Sequence, residues 1–538
     1  MSRSWLAALA LLPAVLAAQT PKLTDSLDVV ITGARIIDGS GRPSYAGDVG
    51  IRLGWITNVT RPGGLAGRPA RQRIAAGGLA LAPGFIDVHS HTVDELGAPE
   101  RRFNEGVVRQ GVTTVLGGPD GGYGPAEMKQ VIESLAKQGA GTNVALYVGH
   151  NAVRGAVMQL AQRAPTAEEL TRMKALVREG MELGAVGLST GLMYEPGMFS
   201  ETDEVVELAR EVTPYRGIYD SHVRDPVKRF LWSDQECIAI GERAGIAPKI
   251  GHEKAVGLEN AGKIRDVIAM VNAARLRGVD AVSDQYPYDG AATSALTDIV
   301  VLPRDLKDQA GFDLKAALRD PALRARIKVS SENGVGGGFA WLKATGYTSM
   351  RITTSPENPA LVGKYLSELA DGRKVGRFDL VADLILGSTR PIGITLGAIR
   401  EQDVRDLLVQ PWNMVASDGG YADARTDAMG HPRSTGTFPR VLGHYVRDVK
   451  LFTLEEAVRK MTSLPADWIG LRDRGRVAEG QAADLVIFDP KTIADKSTWE
   501  KPSAMAVGVR DVFVNGQPVL RNGELTGKSP GRYLRARR

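Results

Sequence analysis

The stretch "GFIDVHSH", residues 84–91, is an apolar run that ends in two of the chain's seven histidines. His89 and His91 are two positions apart, and side chains with that spacing on a strand share a face. Seven further runs end in polar residues in the same way: "TTVLGG" (113–118), "VALYVGH" (144–150), "AVGLSTG" (185–191), "GIYDSH" (217–222), "APKIGH" (247–252), "VDAVSDQY" (279–286) and "WNMVASDG" (412–419). Amphipathic stretches separate most of these runs. Eight such alternations predict an α/β fold, a parallel (β/α)8 TIM barrel with its chemistry at the carboxyl ends of the strands.

The barrel accounts for only part of the 538 residues. The seventh and eighth predicted strands are too far apart for one connecting helix, which predicts an inserted subdomain over about residues 290–380. Short alternating strands with "NG" turn signals occur at both ends of the chain. We therefore expect residues 23–82 and 468–538 to form one small β-sandwich, with the barrel over residues 83–467.

Composition limits the partners and the location of the protein. The net charge is +5 with both signs interspersed, which argues against a nucleic-acid partner. Residues 1–18 have the pattern of a secretory signal peptide, and no later run is long and apolar enough to cross a membrane. We expect an exported protein, periplasmic or secreted; a homo-oligomer is compatible with these features. Cys237 is the only cysteine, so no internal disulfide forms, and it is predicted to be a packed core thiol.

Polar residues at the strand ends predict a metal site. The predicted ligands are His89, His91, His222, His252 and Asp418. A hydrogen-bonded core polar group explains any one of them, but not four histidines and one aspartate at the ends of strands in one barrel. Imidazole and carboxylate together favour zinc, with manganese, iron and nickel as alternatives.

A metal at a barrel mouth favours attack of water on a carbonyl. Asp418 would accept the proton of the water and deliver it to a leaving nitrogen. His150 ends the third strand and either stabilises the oxyanion or makes a structural hydrogen bond. The pattern therefore predicts amide hydrolysis.

Cations and tyrosines close to these ligands predict a carboxylate-binding pocket. Its predicted members are Arg224, Lys254, Tyr286, Tyr288 and Arg433. The alternative for each cation is a surface ion pair, and for Arg224 a pair with Asp220 or Asp225.

Longer motifs resemble a known family. They include "GAVGLSTGLMYEPG", "YDSHVRD", "HPR", "GTFPRVLG" and "GQAADLVIFDP", and they run in the same order along almost the whole chain. In these motifs the chain resembles the amidohydrolase superfamily and, within it, the N-acyl-D-amino-acid deacylases (D-aminoacylases). The resemblance implies a zinc-dependent barrel with a small β-sandwich that hydrolyses N-acyl-D-amino acids. It also implies that Lys254, Arg433 and one tyrosine bind the substrate carboxylate.

One loop departs from that family. Members of the family carry a zinc-binding cysteine in the loop after the second strand, where this chain reads "LGGPDG". Many amidohydrolases instead bridge two metals with an anion from the fourth strand, where Glu195 is the only acid. We therefore expect Glu195 to bridge two zinc ions, one near His89 and one near His222, with Asp120 as the alternative ligand.

Three other functions remain open at this stage. A dipeptidase acting on substrates with a free C-terminal carboxylate would need the same pocket. A cyclic-amide hydrolase of the dihydroorotase or hydantoinase type would normally show a lysine in place of Glu195. A secreted binding protein without catalysis would be expected to have lost some of the ligands, and all of them are present.

Overall fold

The computed structural model describes residues 26–307, 309, 311–335, 340–423 and 430–536. The predicted signal peptide lies outside these residues, as does part of the loop after Asp418. The strands are β1 Leu27–Ile36, β2 Tyr45–Arg52, β3 Trp55–Thr60, β4 Ala70–Ala75, β5 Ala80–Pro83, β6 Phe85–Asp87, β7 Ser90–His91, β8 Val112–Gly117, β9 Asn143–Leu146, β10 Val148–Gly149, β11 Gly187–Gly191, β12 Ile218–His222, β13 Ala247–Ile250, β14 Val282–Gln285, β15 Gly290–Ala295, β16 Ile352–Thr354, β17 Gly393–Ala398, β18 Asn413–Val415, β19 Gly419–Gly420, β20 Leu485–Phe488, β21 Val509–Val514, β22 Gln517–Arg521 and β23 Glu524–Leu525.

Helices connect most of these strands. The α-helices span Glu105–Val108, Pro125–Gln138, His150–Met158, Ala167–Glu182, Thr202–Arg210, Phe230–Ala244, Ile264–Leu276, Arg304–Lys307, Leu314–Arg319, Pro321–Asn333, Trp341–Thr345, Leu366–Arg373, Arg377–Leu386, Glu401–Leu408, Arg433–Arg440, Leu454–Met461 and Ser463–Ile469. Short 3-10 helices span Val93–Glu95, Gly197–Phe199, Thr213–Tyr215, Leu258–Asn260, Leu296–Ile299, Tyr347–Ser349 and Pro359–Leu361, and a π-helix spans Val441–Asp448. No helix in the described part of the chain combines the length and apolarity needed to cross a membrane.

Parallel strands form the predicted barrel. β6, β8 and β9 pair in that order, and β10, β11, β12, β13, β14 and β18 pair in a second run. β9 and β10 are separated only by Tyr147, and β7 pairs with β19 to close the ring. The prediction of a TIM barrel is therefore confirmed. The carboxyl ends of its strands meet at one mouth, which places the polar strand ends together.

The two ends of the chain share a separate sheet. β1–β5 join β20–β23 in nine strands, and the junction is the antiparallel pair of β5 with β20. Val29, Ile51, Leu485 and Phe513 are among the buried residues of a distinct apolar cluster on this sheet. Residues 531–534 do not continue the sheet; they pair with β9 and the segment before it instead. The expected sheet domain from both chain ends is therefore present.

The predicted insertion has its own small sheet and core. β17 lies between β15 and β16, antiparallel to both. An apolar cluster separate from that of the barrel includes Leu318, Phe378 and Ile394. The unit begins at Gly290 and extends beyond residue 380, to the end of β17 at Ala398. It returns the chain to the barrel through the helix Glu401–Leu408.

Candidate metal centre and substrate cavity

The structure brings the predicted strand-end ligands together at the barrel mouth. His89 and His91 follow β6, and His222 ends β12. The His252 ring centroid lies 4.6 Å from that of His89 and 4.5 Å from that of His222. His252 and Asp418 have φ angles of +36° and +48°, which non-glycine residues rarely adopt. These two left-handed residues turn the chain sharply after β13 and β18 at the centre of the site.

Asp120 is the anion at the centre of this group. Its Oδ1 lies 3.3 Å from His89 Nε2, 3.6 Å from His252 Nε2 and 3.7 Å from His222 Nδ1. Its Oδ2 lies 3.5 Å from His91 Nε2. One carboxylate therefore lies within 3.7 Å of all four histidines, where it could share a metal ion with them.

Glu195 does not occupy that place, so its prediction as the bridging ligand is wrong. Its side chain is exposed, beyond the point where the chain after β11 turns outward. Tyr194, one residue earlier, packs its ring 4.6 Å from the His222 ring. The alternative ligand, Asp120, takes the position expected for Glu195.

Unsatisfied polar atoms indicate that the donor group is built for a cation. Nε2 of His89, Nδ1 of His222 and Oδ1 of Asp120 are buried without a hydrogen-bond partner. Ligand atoms of His89, Asp120, His252 and Asp418 all lie within 4.8 Å of one another. Buried polar atoms are normally paired, and a divalent ion would pair these. The mixed nitrogen and oxygen donors fit zinc, and His91 and His222 at the edge of the group extend it enough for one or two ions.

The charges of these residues suit metal binding. Burial alone would raise the pKa of the Asp120 carboxyl, but His89, His222 and His252 hold it well below its usual range. For Asp418, Arg433 and His252 likewise hold the pKa well below its usual range despite burial. Burial and the adjacent Lys254 ammonium keep the pKa of His252 low. Both acids are thus anions and His252 is neutral, the forms that bind metal. Asp120 and Asp418 raise the pKa of His91 to about 10 despite its burial, so a metal that binds there must displace a proton.

A cavity of about 330 Å³ adjoins the donor group. Metal-site residues form one side, two basic residues another, and apolar side chains the remainder. The lining consists of His91, Asp120, Met193, Tyr194, His222, Pro226, Val227, His252, Lys254, Val256, Ala291, Ala292, Trp341, Asp418 and Arg433.

Lys254 and Arg433 converge on one tyrosine beside Asp418. The Arg433 guanidinium lies 4.6 Å from the centre of the Tyr286 ring, and Lys254 Nζ lies 5.4 Å from it. Arg433 Nη1 also contacts Asp418 Oδ2 at 2.8 Å and donates to the Ala291 carbonyl at 3.0 Å. Burial lowers the pKa of Lys254 to about 8. A basic pocket therefore directly adjoins the metal donors.

Two predicted site residues point away from this cavity. Arg224 Nε lies 3.0 Å from Oε2 of the buried Glu236, because the chain has left strand geometry after His222. His150 begins a helix rather than ending a strand, and its Nε2 lies 3.0 Å from Glu204 Oε1. The prediction that Arg224 lies in the substrate pocket is wrong. His150 does not face the oxyanion position either, and it makes the structural contact that was its alternative role.

The two predicted tyrosines differ from each other. Tyr286 packs under the basic pocket and donates its hydroxyl hydrogen to the Ala291 carbonyl at 2.5 Å. Tyr288 lies outside the cavity lining, with its hydroxyl 3.4 Å from Asp495 and 3.5 Å from Ser497. Neither tyrosine lines the cavity, but Tyr286 packs against both Lys254 and Arg433. Tyr288 is directed away from these cations, so the structure does not support its predicted role at the substrate.

Sequence reasoning missed several lining residues. Ala292 lies in β15 and Trp341 begins a helix of the inserted unit, so no local pattern links them to the strand ends. His431 supports the pocket from behind, with its ring centroid 5.5 Å from that of Tyr286 and its Nε2 3.1 Å from the Gly290 carbonyl. Its place in "HPR", two residues before Arg433, was the signal that could have identified it. The single cysteine, Cys237, is buried, as predicted.

Comparisons with known proteins agree with this site. An amidohydrolase-family model matches residues 378–520. The chain is 34% identical to a D-aminoacylase of Alcaligenes xylosoxydans xylosoxydans, over 94% of this chain and 97% of the relative. It is also 34% identical to an N-acyl-D-glutamate deacylase of that organism, over 95% and 97%.

Solved structures extend the likeness to three dimensions. The crystal structure of a D-aminoacylase has a TM-score of 0.75 and 32% identity, covering 95% of this chain and all of that one. The N-acyl-D-glutamate deacylase from Bordetella bronchiseptica, complexed with zinc and a phosphonate inhibitor, has a TM-score of 0.75, 33% identity and the same coverage. A D-hydantoinase, 15% identical with a TM-score of 0.55 over 95% of this chain and 99% of its own, shares the fold alone. Identity of this extent over nearly the whole length places the chain in the N-acyl-D-amino-acid deacylase (D-aminoacylase) family of the amidohydrolases.

Proposed function

We propose that this protein is a zinc-dependent amide hydrolase that removes the acyl group from N-acyl-D-amino acids. The observation that carries the proposal is the position of Asp418 between two sites. Its Oδ1 lies 3.2 Å from His91 Nε2 in the metal group, and its Oδ2 lies 2.8 Å from Arg433 in the basic pocket. A substrate whose carboxylate binds Arg433 would therefore present its amide to Asp418.

The residues that would hold zinc are the four histidines, Asp120 and Asp418. When bound, zinc polarises the scissile carbonyl and lowers the pKa of the attacking water. Asp418 Oδ1 accepts the proton that this water loses, while Arg433 holds the other oxygen in place. Asp418 then delivers the proton to the amide nitrogen as the carbon–nitrogen bond breaks. The products are a carboxylic acid and a free amino acid.

The basic pocket would orient the substrate. Arg433 and Lys254 offer charged donors for an α-carboxylate, and the Tyr286 ring holds both cations at one wall. Apolar residues of the cavity wall include Val227, Val256 and Ala292. A neutral side chain or acyl group fits this wall, since a buried charge would need a partner there. Among the described lining residues, Lys254 and Arg433 are the basic ones.

The preference for D-amino acids rests on the relatives, which carry that stereochemistry in their names. A dipeptidase would use the same pocket, but no observation favours it over deacylation. The likeness to hydantoinases extends only to the fold, and the intact donor group and pocket argue against a binding protein without catalysis. Export through the sequence at residues 1–18, like the oligomeric state, stays a prediction.

A paired substrate series tests the proposal. Zinc-loaded protein is assayed with N-acetyl-D- and N-acetyl-L-methionine, N-acetyl-D-leucine and dipeptides of the same residues, with released amine as the readout. We expect turnover of the D-substrates that is lost with a chelator and restored by zinc. Hydrolysis of the L-forms or dipeptides in preference to the D-forms would contradict the assignment, as would full activity in metal-free protein.

A further inference from the structure

A fully buried ion cluster lies directly beneath the metal donors. Lys249 in β13 extends its ammonium between Asp220 of β12 and Asp284 of β14, and all three side chains are inaccessible to solvent. Lys249 Nζ lies 2.9 Å from Asp220 Oδ1 and makes a short contact with Asp284 Oδ2. It also donates to the Val88 carbonyl at 3.3 Å, one residue before His89. The cluster thus connects four barrel strands at the floor of the site.

Each carboxylate of the cluster reaches a different metal-ligand histidine. Asp220 Oδ2 lies 3.8 Å from His89 Nδ1, on the side of the ring opposite Asp120. Asp284 Oδ1 accepts a hydrogen bond from the backbone nitrogen of His252 at 2.5 Å. That bond holds His252 at its left-handed φ of +36°.

A glycine keeps the approach to His89 open. A Cβ at Gly251 would lie 3.1 Å from Asp220 Oδ1 and 3.3 Å from His89 Nδ1. Such a contact is tighter than side chains normally accept, so a larger residue would push the carboxylate and the imidazole apart. The chain therefore leaves this gap free between Asp220 and the ring.

The charges determine what Lys249 does for these two acids. Buried carboxylates are costly unless a cation pairs with them, and removing one partner leaves an uncompensated charge. Donor atoms of His89, Asp220 and Asp284 lie within 4.8 Å of one another, a spacing that could hold a metal ion. Lys249 already places its own cation on both of these carboxylates. Lys249 binds Oδ1 of Asp220, and the other oxygen of that carboxylate faces His89 Nδ1 at 3.8 Å.

We propose that Lys249 is a positioning residue of the metal centre, a built-in cation that fixes Asp220 and Asp284 so that they orient His89 and His252. Asp220 Oδ2 faces His89 Nδ1 at 3.8 Å, and its charge favours the tautomer with the hydrogen on Nδ1, which leaves the Nε2 lone pair directed at Asp120, 3.3 Å away. Asp284 holds the backbone of His252. The inference rests on the proposed metal dependence, but concerns how tightly the ion is held.

The test compares two buried lysines in the full-length protein. Zinc affinity is measured by competition with a chromophoric chelator for the parent, Lys249→Met and Lys460→Met. Lys460 is as fully buried as Lys249, but donates to the backbone carbonyls of Gln410 and Asn413, at the start of β18 and not at the end that leads to Asp418. We expect Lys249→Met to bind zinc about 10–100-fold more weakly. Lys460→Met should lose thermal stability at unchanged zinc affinity.

A second variant keeps the inference testable if Lys249→Met does not fold. Asp220→Asn preserves the volume of the side chain while removing the charge that faces His89, and should weaken zinc binding by about 10-fold. Parent zinc affinity in a folded Lys249→Met protein, or in Asp220→Asn, would overturn the inference. A parent that binds zinc but hydrolyses no N-acyl-amino acid would instead overturn the proposed function and leave this comparison intact.

Discussion

Two loops at the barrel mouth each carry an acid predicted as a possible metal ligand, and only one of these two acids reaches the metal donors. The loop after β8 folds inward: Gly118, Asp120 and Gly121 all have positive φ, and Ser189 of β11 hydrogen-bonds to the backbone of both glycines. The loop after β11 turns outward and leaves Glu195 exposed. Gly191 permits the inward course, because a Cβ there would lie 2.4 Å from the Asp120 carbonyl oxygen. The path of the backbone, not the number of acids, decides which loop supplies the ligand.

Replacing the carboxylate in each loop by the corresponding amide should give the largest difference in zinc affinity between two variants. Asp120→Asn keeps the size of the side chain but removes the anion shared by four histidines. We expect a loss of zinc affinity greater than the roughly 100-fold typical of residues behind the ligands, with almost no turnover. Glu195→Gln should match the parent in zinc content and rate. Metal analysis of the purified variants checks this, and the opposite pattern would return the bridging role to Glu195.

The basic residues also differ in direction: Arg433 points into the cavity, whereas Arg224 points away from it. Arg433→Ala should lower kcat/KM for substrates with a free α-carboxylate by roughly 30-fold or more, the effect of losing about 2 kcal/mol or more of buried ion pairing. Substrates amidated at that carboxylate should be poor for the parent and lose less in the variant. Some loss is expected even for these, because Arg433 also contacts Asp418. Equal losses on both substrate types would argue against the pocket.

The apolar residues of the cavity wall predict a different side-chain preference from that of the N-acyl-D-glutamate and N-acyl-D-aspartate deacylases. N-acetyl-D-leucine and N-acetyl-D-methionine should have kcat/KM values at least about 10-fold above those of the N-acetyl forms of D-glutamate and D-aspartate, because an unpaired carboxylate is costly to bury. Ala292→Arg places a cation at that wall and should reduce the ratio of kcat/KM for the neutral substrates to kcat/KM for the acidic ones. A parent that prefers acidic substrates would contradict the assignment of a neutral side chain while leaving deacylation in place.

Substitution of Arg224, the cation directed away from the cavity, should give the smallest catalytic effect. Arg224→Met removes the partner of the buried Glu236 and should lower the melting temperature. Its kcat/KM per folded molecule should stay within about twofold of the parent, as for substitutions away from a site. A rise in KM specific to substrates with a free carboxylate would restore Arg224 to the pocket.

Strand periodicity was enough to predict the barrel and the meeting of the five strand-end side chains at its mouth. Parallel strands bring their carboxyl ends to one mouth, so the ends of β6, β12, β13 and β18 met as expected. The same reasoning failed one or two residues later, where local φ angles and distant contacts direct the side chain. Arg224 and His150 turn toward Glu236 and Glu204 for that reason. Trp341 had no signal at all, since the inserted unit reaches the cavity from a remote part of the sequence.

The pairing of β5 with β20 has a consequence for the order in which the protein is assembled. Pro83 ends β5 opposite Leu485, and His89 follows only six residues after Pro83. β5, which leads through β6 to His89 and His91, therefore lacks one of its two neighbours, β20, until nearly the whole chain has been synthesised. We expect metal loading to be a late event that marks completed chains. A ribosome-arrested or prematurely terminated product that ends before Leu485 would then leave His89 and His91 poorly anchored and its zinc weakly held.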